Sequence, residues 1–129
     1  THTSDAVFGN KLFLSKNEEF VADNHNQQIV VYNLHGKLKH NILCPTINKN
    51  DHTSMCSAGK DFIVITSHSP QKASKINIKT GEVLWTTTLT YRPFSCTCVG
   101  QTILVGLDGY PQLKGVWIEV LNTENGECY

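Results

Sequence analysis

The 129-residue chain contains a single arginine, Arg92, and its eleven basic residues are balanced by eleven acidic ones. A face that grips phosphate needs clustered Lys and Arg, so strong nucleic-acid binding is disfavoured. No apolar run approaches the roughly 20 residues that a membrane-spanning helix requires, and no membrane association is expected. The opening residues THTSDAV have no signal-peptide character, and there is no Asn-x-Ser/Thr glycosylation site. The five cysteines show no Cys-x-x-Cys pair and no zinc-ligand spacing. An odd number of thiols without a small-scaffold pattern fits a reducing compartment, and a cytoplasmic location is expected. Sustained 3.6-residue apolar periodicity is missing too, which leaves little room for helix.

What the chain does have is a repeat. Gly36 in NLHGK, Gly81 in IKTGE and Gly126 in TENGE lie 45 residues apart in each case. A serine precedes a glycine by five residues in Ser4–Gly9, Ser54–Gly59 and Ser95–Gly100, and His-Thr precedes the first two of these serines. Two independent markers in the same order, at a period near 45 with short β-type segments between them, predict propeller blades.

Each unit divides into four predicted strands. The first are Ser4–Phe8, Ser54–Ala58 and Ser95–Val99, rich in small residues as befits the crowded centre of a propeller. The second are Phe20–Ala22, Phe62–Thr66 and Thr102–Leu107, apolar enough to be covered on both faces. The third are Ile29–Asn33, Lys75–Lys79 and Val116–Leu121, with Lys75, Asn77 and Lys79 predicted to face solvent opposite Ile76 and Ile78. The fourth are Leu38–Leu43 and Val83–Leu89, the Thr86–Thr88 run reading as a solvent-facing outer strand. Residues between Gly9 and Phe20 read as a longer first hairpin. The fold class is therefore all-β, a partial propeller of about three four-stranded antiparallel blades (approximately 1–43, 52–89 and 94–129), the last incomplete. Three blades do not close a ring, since propellers have about four or more. The chain is expected to be part of a larger propeller, or to need blades from another copy.

The stretch FVADNHNQQIVVYNLHGKLKHNI, residues 20–42, resembles an NHL repeat, with its Val-Ala-Asp strand end, Asn/His turn and Ile-Val-Val-Tyr strand. The second and third repeats keep only the strand–glycine-turn–strand half, INIKTGEVLW and IEVLNTENGE, which also resembles quinoprotein-like propeller repeats. NHL propellers form the C-terminal part of tripartite-motif ubiquitin ligases, where they recognise partners. The resemblance thus implies a partner- or substrate-recognition module, possessing no RING, B-box or coiled coil within these residues.

No catalytic or metal-binding constellation emerges. Cys96 and Cys98 are predicted to share a strand face and, with Cys56, read as buried structural thiols. The six histidines stand singly, and Ser67-His68-Ser69 lacks the glycines of a nucleophile elbow. No cofactor is expected. In four-stranded antiparallel blades, the turns after second strands and the links after fourth strands share one end. That loop face gathers Asn24, His25, His68, Tyr91, Arg92 and Tyr110, the expected partner-binding residues; Tyr and Arg are the types that anchor interfaces. The reading is a non-enzymatic module that binds a protein or peptide. The alternatives are an RNA-binding NHL propeller, and part of a propeller enzyme, either a metal-dependent lyase or quinoprotein-like.

Overall fold

The computed structural model describes residues 12–14, 20–24, 28–43, 52–68, 71–108 and 116–129. Among them every extended segment pairs antiparallel with its sequence neighbour, and no helix occurs. The first sheet runs β1 (Leu12–Leu14), β2 (Phe20–Asn24), β3 (Gln28–Tyr32) and β4 (Leu38–Leu43). The second runs β5 (His52–Ser57), β6 (Phe62–His68), β7 (Gln71–Asn77) and β8 (Val83–Thr88). The third has β9 (Arg92–Val99), β10 (Thr102–Asp108) and β11 (Val116–Asn122) in order, and Cys128 then bridges back to Leu121.

The second sheet shows why β6 reads FIVIT. Ile63, Val64 and Ile65 are all buried, although successive side chains point to opposite faces. Ile63 and Ile65, with Met55, Ile76 and Ile78, pack on Ile29 of the first sheet. Val64, with Cys56, Ala58 and Ala73, packs on Ile103, Val105, Leu107 and Leu121 of the third. The middle sheet is sandwiched, and each such side chain taken from water contributes roughly 1.5–3 kcal/mol. This is the arrangement of consecutive blades, and it covers both faces only where a neighbour is present. On the far flank of the third sheet, Val99 and Ile118 remain about two-thirds exposed (64% and 66%).

The glycine register is a structural register. Gly36, Gly81 and Gly126 all take positive φ, at 81°, 81° and 74°, each in the turn after a third strand. At all three turns an asparagine organises the chain. The Asn33 side-chain oxygen accepts the His35 and Lys37 amides, that of Asn77 the Lys79 and Thr80 amides, and that of Asn122 the Glu124 amide. The same asparagines offer their carbonyls to the amides of Gly36, Gly81 and Gly126. An Asn side chain that mimics a backbone acceptor is a local reason for the chain to turn there.

Two expectations are corrected. Lys75 does not face solvent: it is 8% exposed, because the third sheet lies over that side of β7. Its ammonium sits over the Phe62 ring, 4.8 Å from the centroid, and donates to the Thr123 carbonyl at 2.8 Å. The partner of β2 is Leu12–Leu14, within the stretch that read as an extended hairpin. The expected strand Ser4–Phe8 lies outside the described residues.

Candidate functional site at the joint between the second and third sheets

The second and third sheets are joined at two levels. At the outer edge, the Trp85 indole N–H donates to the Thr123 carbonyl at 3.0 Å and the Thr87 hydroxyl to the Gly126 carbonyl at 2.5 Å. A Cβ on Gly126 would lie 2.5 Å from Trp85 Cδ2 and 2.6 Å from Thr87 Oγ1, so the indole rests directly on this turn. The equivalent Gly36 has nothing within 4 Å of that position.

Where β5 and β9 run side by side, the joint is made by small polar groups. Ser54 and Thr66 hydroxyls hydrogen-bond at 2.5 Å, and the Ser54 hydroxyl donates to the Cys96 sulfur at 3.4 Å. Cys96 in turn lies 3.9 Å from the Val64 carbonyl and meets the Cys56 thiol. Cys96 and Cys98 do share the face that packs toward Cys56, although only Cys56 is fully buried; the other two are partly exposed. Hydrogen bonding with Cys56 holds the Cys96 thiol below the ordinary cysteine range; burial opposes the shift and the Ser54 hydroxyl adds to it. Cys56 is pushed upward by its bond to Cys96, by burial and by the charge that Cys96 and Cys98 carry when ionised. These side chains are not arranged to hold a metal ion.

At the loop end of the same joint lies an open cleft of about 400 Å³ bordered by Thr90, Tyr91, Leu107, Trp117, Glu119 and Cys128. Tyr91 packs against the core between the sheets while remaining partly exposed. Trp117, opposite Leu107 in the β10–β11 register, is 48% exposed. The Glu119 carboxylate accepts the Thr90 amide at 3.2 Å, which ties the link to β11. Arg92, exposed, opens β9 directly beside this link.

Of the expected contact residues, Asn24 and His68 end β2 and β6, and Arg92 stands opposite Asp108 at the end of β10. Antiparallel pairing places these positions at the turn-bearing ends of their own sheets. His25 and Tyr110 lie outside the described residues. Tyr91 and Arg92 are brought to one cleft. Trp117 was not singled out from the sequence, although a tryptophan next to a residue as apolar as Ile118, in a segment with no alternation, was the available signal.

Among solved structures this fold recurs in propeller proteins. Hydrazine synthase from Kuenenia stuttgartiensis superposes with a TM-score of 0.73 at 12% identity, over 96% of this chain and 36% of that one. BamB from Moraxella catarrhalis gives 0.65 at 14% identity, over 95% and 35%. The β-propeller domain of Cps50 (Swd1) from Myceliophteria thermophila gives 0.66 at 6% identity, over 98% and 38%. The chain thus folds as an arc of a β-propeller and spans little more than a third of each of these chains. No family model matches the sequence, and no curated protein does.

Proposed function

We propose that this chain belongs to a β-propeller that works as a non-enzymatic protein-recognition module in the cytoplasm, engaging a protein or peptide at the loop end of its blades. The observation that carries this reading is the cleft where Tyr91 and Trp117 flank the joint, with Arg92 exposed beside it. Tyr, Trp and Arg are the side chains that dominate binding energy, because they bury large areas at small entropic cost. The apolar flank bearing Val99 and Ile118 takes a further blade, from the same or another chain. The likeness of residues 20–42 to an NHL repeat supports a substrate-recognition role of the kind such propellers have in tripartite-motif ubiquitin ligases.

The test is site-specific photocrosslinking in the intact protein, with the photoreactive residue at position 91 and, as control, at exposed Lys60 in the turn at the opposite end of the second sheet. Expected is a discrete protein adduct from position 91 that Trp117→Ala weakens and position 60 does not give. Adducts to RNA, with binding that falls steeply with salt, would replace this reading by the RNA-binding one.

A further inference from the structure

We propose that Cys56 and Cys96 form a peroxide-responsive dithiol whose oxidation staples the second and third sheets together. The two residues sit on β5 and β9, which belong to different sheets and run side by side, and their sulfurs meet across the joint. Two cysteines that merely fill space would be surrounded by aliphatic groups, as Ala58 and Ala73 are in the same cluster. Here the sulfur of Cys96 also receives a hydroxyl hydrogen. Ser54 donates to it at 3.4 Å, and the Thr66 hydroxyl, 2.5 Å from Ser54, then supplies the donor that Ser54 accepts. A hydroxyl relay aimed at sulfur favours the thiolate, which is the nucleophilic form.

The surroundings assign unequal roles. Cys96 is the less buried of the two thiols, partly exposed at the joint, so a small oxidant meets it first. Cys56 is buried behind it and does not meet solvent first. The depressed Cys96 and the raised Cys56 agree with that order.

In the first step the Cys96 thiolate attacks one oxygen of hydrogen peroxide. The O–O bond breaks, Cys96 becomes a sulfenic acid, and the departing hydroxide takes a proton to leave as water. In the second, the Cys56 sulfur attacks the Cys96 sulfur, the S–O bond breaks, and the hydroxide leaves as water with the proton from Cys56. Overall two thiols and one peroxide give one disulfide and two waters. The crosslink ties β5 to β9 within the same apolar cluster on which Tyr91 packs.

The experiment uses the intact protein, reduced, exposed to dilute hydrogen peroxide, quenched with N-ethylmaleimide, unfolded and mapped by mass spectrometry. Cys96 and Cys98 have no Lys between them, so the mapping is repeated in Cys98→Ser. Expected is a Cys56–Cys96 crosslink in both proteins, its loss in Cys96→Ser, and a thermal midpoint raised on oxidation and restored by dithiothreitol. Exposed Cys128 serves as the reactivity standard and needs no substitution. Two results overturn the proposal: Cys56 and Cys96 still alkylated singly in the wild-type protein once Cys128 is oxidised, or a crosslink that joins Cys56 to Cys98 instead.

Discussion

Gly126 and Gly36 occupy matching turns with the same sign of φ but different surroundings. Alanine at either must adopt the left-handed region, at about 1 kcal/mol or slightly more. At Gly126 it must also displace Trp85, an overpacking cost of about 1–3 kcal/mol more. Urea titration is therefore expected to rank Gly126→Ala well below Gly36→Ala in stability, and equal losses would contradict the packing of the indole on this turn. The three glycines were legible from their 45-residue spacing because only a few residue types tolerate that backbone. The role of Trp85 was not, since nothing in GEVLW says which neighbouring turn the indole reaches.

Cysteine chemistry at the same scale gives a second expectation. With Cys96 held below the ordinary cysteine range, a larger fraction is thiolate at any given pH. Its alkylation rate should therefore reach half-maximum at a lower pH than that of a model thiol. Cys56, shifted the other way and buried, should stay unmodified until the protein unfolds. Differential alkylation read by mass spectrometry checks both signs; modification of Cys56 ahead of Cys96 would reverse the assignment.

Among elements, the turns closing the third strands depend on asparagine as much as glycine. Asn77→Ala removes the acceptor for the Lys79 and Thr80 amides, and its expected cost is about 1 kcal/mol in thermal or chemical unfolding. Asn77→Asp keeps the acceptor and should cost less. These asparagines were passed over in the sequence because Gly36 follows Asn33 by three residues while Gly81 and Gly126 follow theirs by four. The strands themselves were largely readable. Continuous apolar character in β6 correctly implied two covered faces; alternation in KINIK holds for buried Ile76 and Ile78 and exposed Lys79 and fails at Lys75. A lysine stem can lie on a neighbouring sheet while its ammonium finds a carbonyl, and local patterning carries no trace of that neighbour. The strand Leu12–Leu14 was hidden for a different reason. Three residues are too few to show a period of two.

For the molecule as a whole, position at the loop end rather than residue type decides what is available for contact. Tyr91 and Arg92 were identified because the link after a fourth strand must emerge at that end. Trp117 reaches the same cleft from β11, on the face it shares with Leu107, a juxtaposition that only the packing of sheets creates. Tyr91→Ala and Trp117→Ala should each weaken partner binding by about tenfold or more, mainly through faster dissociation, while Arg92→Ala acts at the rim and costs less. Surface plasmon resonance with the crosslinked partner separates these effects.

The placement of that cleft follows from one structural claim, that the second and third sheets are adjacent blades locked where Trp85 seats on the Gly126 turn. The most direct measurement is a double-mutant cycle on the stability of the intact propeller, followed by circular dichroism, combining Trp85→Ala with Gly126→Ala. Removing the indole first should leave alanine at 126 with only its backbone strain, so the pair is expected to be less damaging than the sum of the single changes by about 1–3 kcal/mol. Costs that simply add, to within about 0.5 kcal/mol, would mean that the two residues do not touch and that the sheets are not joined in this way.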